Sequence, residues 1–266
     1  MIALTEKDRP AILEYLSAEP EMNLFFIGDI ESYGVDTPPV QIYAHPSEKG
    51  WDFLLLQYFD FYIVYSRDPS YDTAALADFL KDRRVDCLSG KLELLEPMAA
   101  YFPQHTLEPT YLCRCNAVNP EACRPLPAGT ELRRLTEEDL DEVTRLLLEV
   151  EEFADSYKGE DGPQRCRRGN AENLKNGLLY GLFENGRMVS TAQTSADNSQ
   201  SAMVVAVATD KAARGKGYAS NVVSALCRAS FARGKQFLCL FYDNPVAGRI
   251  YHRIGFETIG RYAMLK

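Results

Sequence analysis

The chain has 266 residues, of which 46% are hydrophobic and 25% charged, and its formal net charge is −9. This is the composition of a globular protein, long enough for one or two domains with a substantial core. Residues 1–128 hold 20 Asp and Glu against 10 Lys and Arg, and so acidic a front half argues against nucleic acid as a partner.

Hydrophobic periodicity and turn residues give the elements in chain order. Residues 2–4 read as a strand, and 7–17 and 22–33 as helices. Strands are predicted over 41–44, 51–58 and 60–65. A helix follows over 73–84, a short strand over 86–89, a helical stretch over 92–102 and a strand over 110–115. The longest apolar run, 53–65, is broken by Asp60 and is too short to cross a bilayer. No basic segment followed by a long apolar stretch opens the chain, so neither a signal peptide nor a membrane partner is expected. Residues 118–130 contain three prolines and little periodic apolar content, which marks a linker. The predicted organisation is an N-terminal domain over 1–117, the linker, and a second domain over 131–266.

The second half begins with a strand over 131–135. Thr136, with Glu137 and Glu138, then caps a helix reaching about residue 152. A helical segment over 164–176 precedes strands at 178–184 and 188–194, joined by the hairpin turn Asn185-Gly186. A strand over 203–207 leads through a glycine turn into a helix over 216–231. The chain ends with a strand at 237–242, a helix at 245–253 and a strand at 258–265. Seven cysteines form no CxxC pair, so reduced thiols of a cytoplasmic protein are expected, not disulfides or a metal site.

The glycine turn carries the chemistry. A strand feeding a glycine-rich turn at a helix start holds phosphate well, because the first helical N–H groups lack internal partners and sit at the positive end of the helix dipole. Gly215 and Gly217 allow close approach of an anion to the main chain, and Arg214 and Lys216 add positive charge. The spacing is neither that of a dinucleotide fingerprint, since Ser220 occupies the third glycine position, nor that of a Walker A loop. It reads R-x-x-G-x-A from Arg214 through Gly217 to Ala219. Thirty residues after Arg214 comes N-x-x-A-x-x-I-Y-x-x-x-G-F, from Asn244 through Tyr251 to Phe256.

Together these two motifs resemble those of the GCN5-related N-acetyltransferase (GNAT) superfamily, and the likeness covers about residues 131–266. It implies an α/β fold, a mixed central sheet in this half, and acetyl-CoA as cosubstrate. The main chain of Val207, Ala208 and Thr209 would take up the pantetheine arm. Arg214, Gly215, Lys216, Gly217, Tyr218, Ala219 and Ser220 would cradle the pyrophosphate. Asn244 would contact the coenzyme or cap a helix ahead of Pro245, and Tyr251 would serve as general acid to the departing thiolate. The implied reaction is direct attack by a primary amine, of a small molecule or a peptide, on the thioester. The rival reading is a CoA-binding sensor without catalysis, against which the intact Asn244 and Tyr251 argue. Glu149, Glu151, Glu152 and Asp155 cluster where acceptors usually enter, and none is singled out as base. The first half follows a comparable rhythm but carries Asp68 and Asp72, and no glycine, at the position of the phosphate loop. It therefore resembles the degenerate, CoA-free N-terminal half of two-domain acyltransferases of the glycine N-acyltransferase type.

Overall fold

The computed structural model describes residues 1–48 and 50–266. Its elements are β1 (Ile2–Ala3), α1 (Arg9–Leu16), α2 (Leu24–Tyr33), β2 (Val40–Ser47), β3 (Gly50–Tyr58), β4 (Phe61–Tyr65), α3 (Thr73–Leu80), β5 (Cys87–Lys91), α4 (Leu92–Leu95) and β6 (Leu107–Cys115). They continue with β7 (Thr130–Arg134), α5 (Leu140–Glu149), α6 (Glu151–Ala154), α7 (Gly162–Asn176), β8 (Leu179–Glu184), β9 (Arg187–Ser195), β10 (Ser201–Thr209), α8 (Tyr218–Ala232), β11 (Phe237–Tyr242), α9 (Pro245–Ile254) and β12 (Glu257–Leu265).

Two compact units emerge, one of Met1–Leu112 with Thr258–Lys266, the other Cys113–Glu257. The division differs from the predicted one. It falls inside β6, and all but the first residue of β12 joins the first unit, where Tyr262–Leu265 pairs antiparallel with Leu88–Lys91. Residues 118–130 are not a free linker. Ala122 is buried, and the Arg124 main chain exchanges hydrogen bonds with the Asn221 amide on α8 (3.2 and 2.9 Å). Proline content signals irregular backbone, which can pack as well as span.

In the first unit the strand order is β1-β2-β3-β4-β5-β12-β6. Strand β3 is buried on both faces. Leu54 and Leu56 face a cluster containing Ile12, Leu16, Phe26 and Ile30, while Phe53 and Leu55 face one containing Leu76, Leu80 and Met98. Its unbroken apolar run follows from that double burial. On α2, burial alone lifts the Asp29 carboxyl from 3.8 to about 7. A group whose folded pKa is raised contributes stability that is full below its unfolded value and lost as pH rises through the folded one, here between pH 4 and 7. Asp29→Asn should therefore match the parent near pH 4 and exceed it by roughly 2 kcal/mol at pH 8, allowing for partial exposure. Urea melts of both chains at the two pH values check this; parallel pH dependences would refute it.

In the second unit the order is β6-β11-β10-β9-β8-β7. Asn185 and Gly186 take φ of 52° and 82°, the left-handed pair that a tight hairpin demands. The cap at Thr136 uses Asp139 in place of Glu137 and Glu138. Asp139 accepts from the Thr136 main chain (2.9 Å) and is gripped by Arg133 through two 2.7 Å bonds. That grip holds the carboxyl of Asp139 below its ordinary range. The first unit opens in the same way. Thr5 and Asp8 form the matching capping box, so Leu4-Thr5-Glu6-Lys7-Asp8 and Leu135-Thr136-Glu137-Glu138-Asp139 follow one Leu-Thr-Glu-x-Asp pattern. In each unit, too, two antiparallel pairings lead to a strand whose next neighbour is parallel over three residues: β4 with β5, and β10 with β11.

Candidate active site

The site is built where β10 leaves its parallel neighbour. Register with β11 covers only Ser201–Met203 against Phe237–Cys239, although the strands run on to Thr209 and Tyr242. Beyond Met203, therefore, the edge of β10 that faced β11 offers main-chain groups that no strand takes up. On its other side β10 bulges against β9 between Val205 and Ala208, and Ala206 sits at φ 50°. A non-glycine residue held there is strained by about 1–2 kcal/mol, and bulges re-aim the residues beside them.

A cleft of about 460 Å³ opens at this divergence. Val207, Ala208 and Thr209 line it from β10. Arg214, Gly215, Gly217, Tyr218, Ala219 and Ser220 line it from the glycine turn and the start of α8, and Asn244 and Tyr251 from the α9 side. The cleft is thus lined by every predicted site residue except Lys216. The Lys216 ammonium is bound to Glu184 at 2.8 and 3.0 Å and does not line the cleft. The Tyr218 hydroxyl donates to the same carboxylate at 2.8 Å. Arg214 is likewise engaged, holding Glu152 at 2.9 Å and donating to the Thr209 carbonyl at 3.2 Å.

Gly215 and Gly217 have φ of 80° and 88°, and no side chain caps α8. The N–H groups of Tyr218, Ala219 and Ser220 have no acceptor among the described residues, as a helix start facing an anion requires. The Asn244 side chain accepts from the Val246 N–H (2.8 Å), so it does cap α9, and it does so at the rim of the cleft. Tyr251 is 8% exposed, with its ring 6.2 Å from that of Tyr242 and 6.1 Å from that of Phe256. Burial, with Cys113 alongside, pushes its phenol up to about 12. His252 points to Cys113 instead and does not line the cleft. Of the four acidic candidates only Glu152 reaches the cleft. Glu149 is held by Arg145 and Arg187, and Asp155 by Lys158.

Several lining residues carry no mark in the sequence. Tyr242 packs against α9 because residue 248 is glycine; a Cβ there would stand 2.5 Å from the Tyr242 ring. Val150, at the break between α5 and α6 that periodicity reads through, and Phe153, on α6, also reach the cleft. Arg124 comes from the proline-rich segment.

Residues 131–259 match the family model of the acetyltransferase (GNAT) domain. Both predicted motifs and the whole cleft except Arg124 lie within the matched stretch. Solved structures extend the likeness to the full chain. A GCN5-related N-acetyltransferase from Sphaerobacter thermophilus aligns over 99% of this chain and 93% of its own, with TM-score 0.66 and 16% identity. A GCN5-related N-acetyltransferase-like protein from Streptococcus suis aligns over 99% and 100%, with TM-score 0.63 and 14% identity. A tandem GNAT protein from the clavulanic acid biosynthesis pathway aligns over 99% and 96%, with TM-score 0.59 and 13% identity. The fold is GNAT, a mixed α/β architecture. A comparison with curated proteins finds no match. Among the described residues no helix is long and apolar enough to cross a membrane, and no cluster of three His, Cys, Asp or Glu is placed to hold a metal.

Proposed function

We propose that the second unit is an N-acyltransferase that moves an acetyl group from acetyl-CoA to a primary amine. The observation that carries this reading is the convergence of an unpaired strand edge, an uncapped glycine-rich helix start and a phenol on one cleft. Each feature meets one part of the coenzyme. The edge of β10 can hydrogen-bond an extended amide-containing arm as an added strand would. The turn from Gly215 to Ser220 can hold a pyrophosphate on main-chain N–H groups.

Bound acetyl-CoA supplies an acyl group activated as a thioester. The chain's own work is to orient and to manage protons. The main chain of Val207, Ala208 and Thr209 fixes the arm, and N–H groups along this edge are placed to stabilise negative charge on a carbonyl oxygen. Tyr251 carries its proton at Oη, has no hydrogen-bond partner among the described residues, and faces the cleft where a departing thiolate would form. Asn244 holds the start of α9 and so the place of Tyr251.

The first unit reads as a second, degenerate copy of the same fold, as in acyltransferases of the glycine N-acyltransferase type. The shared Leu-Thr-Glu-x-Asp opening and the repeated strand pairings support this. At its counterpart of the glycine turn, groups that could meet a coenzyme are already engaged. Tyr71 is buried there and donates to the Leu94 carbonyl (2.9 Å), while the Asp72 N–H is already taken by Asp52 (2.9 Å).

Release of free thiol from acetyl-CoA, followed across a panel of amino acids, polyamines, aminoglycosides and peptides, tests the activity. Amine-dependent thiol release supports the reading; saturable acetyl-CoA binding without release for any amine favours the sensor.

A further inference from the structure

The phosphate cradle is short of available charge. Arg214 is paired with Glu152, and Lys216 with Glu184. Exposed pairs of this kind are weak individually, but a phosphate entering the turn must compete with a carboxylate for each cation. Arg124 is different. It lines the same cleft, and its side chain has no ion pair or hydrogen bond among the described residues. Its main chain is clamped by Asn221, on the first turn of α8, through both N–H and carbonyl. Its aliphatic stem lies over Gly217, where a Cβ would stand 3.2 Å from Arg124 Cδ. A main-chain clamp and a stem packed on the glycine therefore deliver a guanidinium to the helix start with little further ordering to do. A guanidinium presents a planar fork of donors suited to phosphate oxygens.

We infer that Arg124, contributed by the segment ahead of the GNAT domain, binds a phosphate of the coenzyme and sets the preference for phosphorylated over phosphate-free pantetheine ligands. This rests on the acetyl-CoA reading above. The coenzyme has two phosphate sources, the pyrophosphate and the 3′-phosphate, and the ligand series separates them.

The test is calorimetric titration of the full chain and of Arg124→Ala with CoA, 3′-dephospho-CoA and pantetheine. The clamp uses only main-chain atoms of residue 124, so the variant should fold with an unchanged melting temperature. About a tenfold loss of CoA affinity is expected, the scale of one charge-assisted hydrogen bond. If dephospho-CoA is unaffected, the contact is to the 3′-phosphate; if it loses equally while pantetheine does not, the contact is to the pyrophosphate. Arg124→Lys should recover part of the loss, and the salt dependence of CoA binding should flatten in Arg124→Ala. Unchanged affinity for both phosphorylated ligands overturns the assignment, as does an equal loss for pantetheine, which would mark a purely structural effect. Failure of the unaltered chain to bind CoA would overturn the cofactor reading itself, a result distinct from either.

Discussion

Tyr251→Phe should lower turnover by about a hundredfold or more, the usual worth of a positioned general acid, and leave acetyl-CoA affinity within about twofold. The geometry explains the split. The Tyr251 ring packs among Tyr242 and Phe256, and phenylalanine preserves those contacts. The hydroxyl has no protein partner among the described residues, so its removal strands no buried donor or acceptor. Burial raises the phenol to about 12, which keeps the proton in place across the range in which an amine nucleophile is neutral. Tyrosine ionisation should therefore not cut the alkaline side of the rate profile near its ordinary value of 10. Steady-state kinetics beside a binding titration checks both halves, and full activity in the variant would remove Tyr251 from the chemistry.

Gly217→Val is expected to act on binding. The residue sits at φ 88°, where a β-branched side chain costs at least about 1–2 kcal/mol, and its Cβ would press on Arg124 Cδ at 3.2 Å. A side chain there also shields the first-turn N–H groups of α8 from an anion. Loss of two charge-assisted hydrogen bonds would weaken acetyl-CoA binding on the order of a hundredfold. The chain should remain folded, because Gly217 is a helix start on the surface and not a core position. Parental affinity in a folded variant would contradict the placement of phosphate at this turn.

These two residues lie in motifs that are readable because each position there meets a local demand. Gly217 must take a left-handed conformation, Asn244 must cap before a proline, and Asn185-Gly186 must turn tightly. Strand and helix positions were legible for the same reason. What escaped was long-range. Nothing in the apolar pattern of residues 258–265 says that this strand pairs with β5 of the first unit. Nothing near Lys216 or Tyr218 announces Glu184, more than thirty positions away, as their shared partner. The bulge at Val205–Ala208 carries no glycine to mark it, and Ala206 takes its positive φ from tertiary context alone. Arg124 was hidden by its surroundings, since three prolines read as a tether although the segment is pinned to α8. The repeated Leu-Thr-Glu-x-Asp opening is the opposite case. It stands in the sequence, but five residues gain weight only once both copies are seen to cap the first helix of a unit.

The most direct test of the account is a calorimetric titration of the full chain with acetyl-CoA, with Gly217→Val titrated in parallel. The account predicts one saturable site per chain that the variant loses. A parental chain that takes up no acetyl-CoA, or a stoichiometry of two, would contradict it.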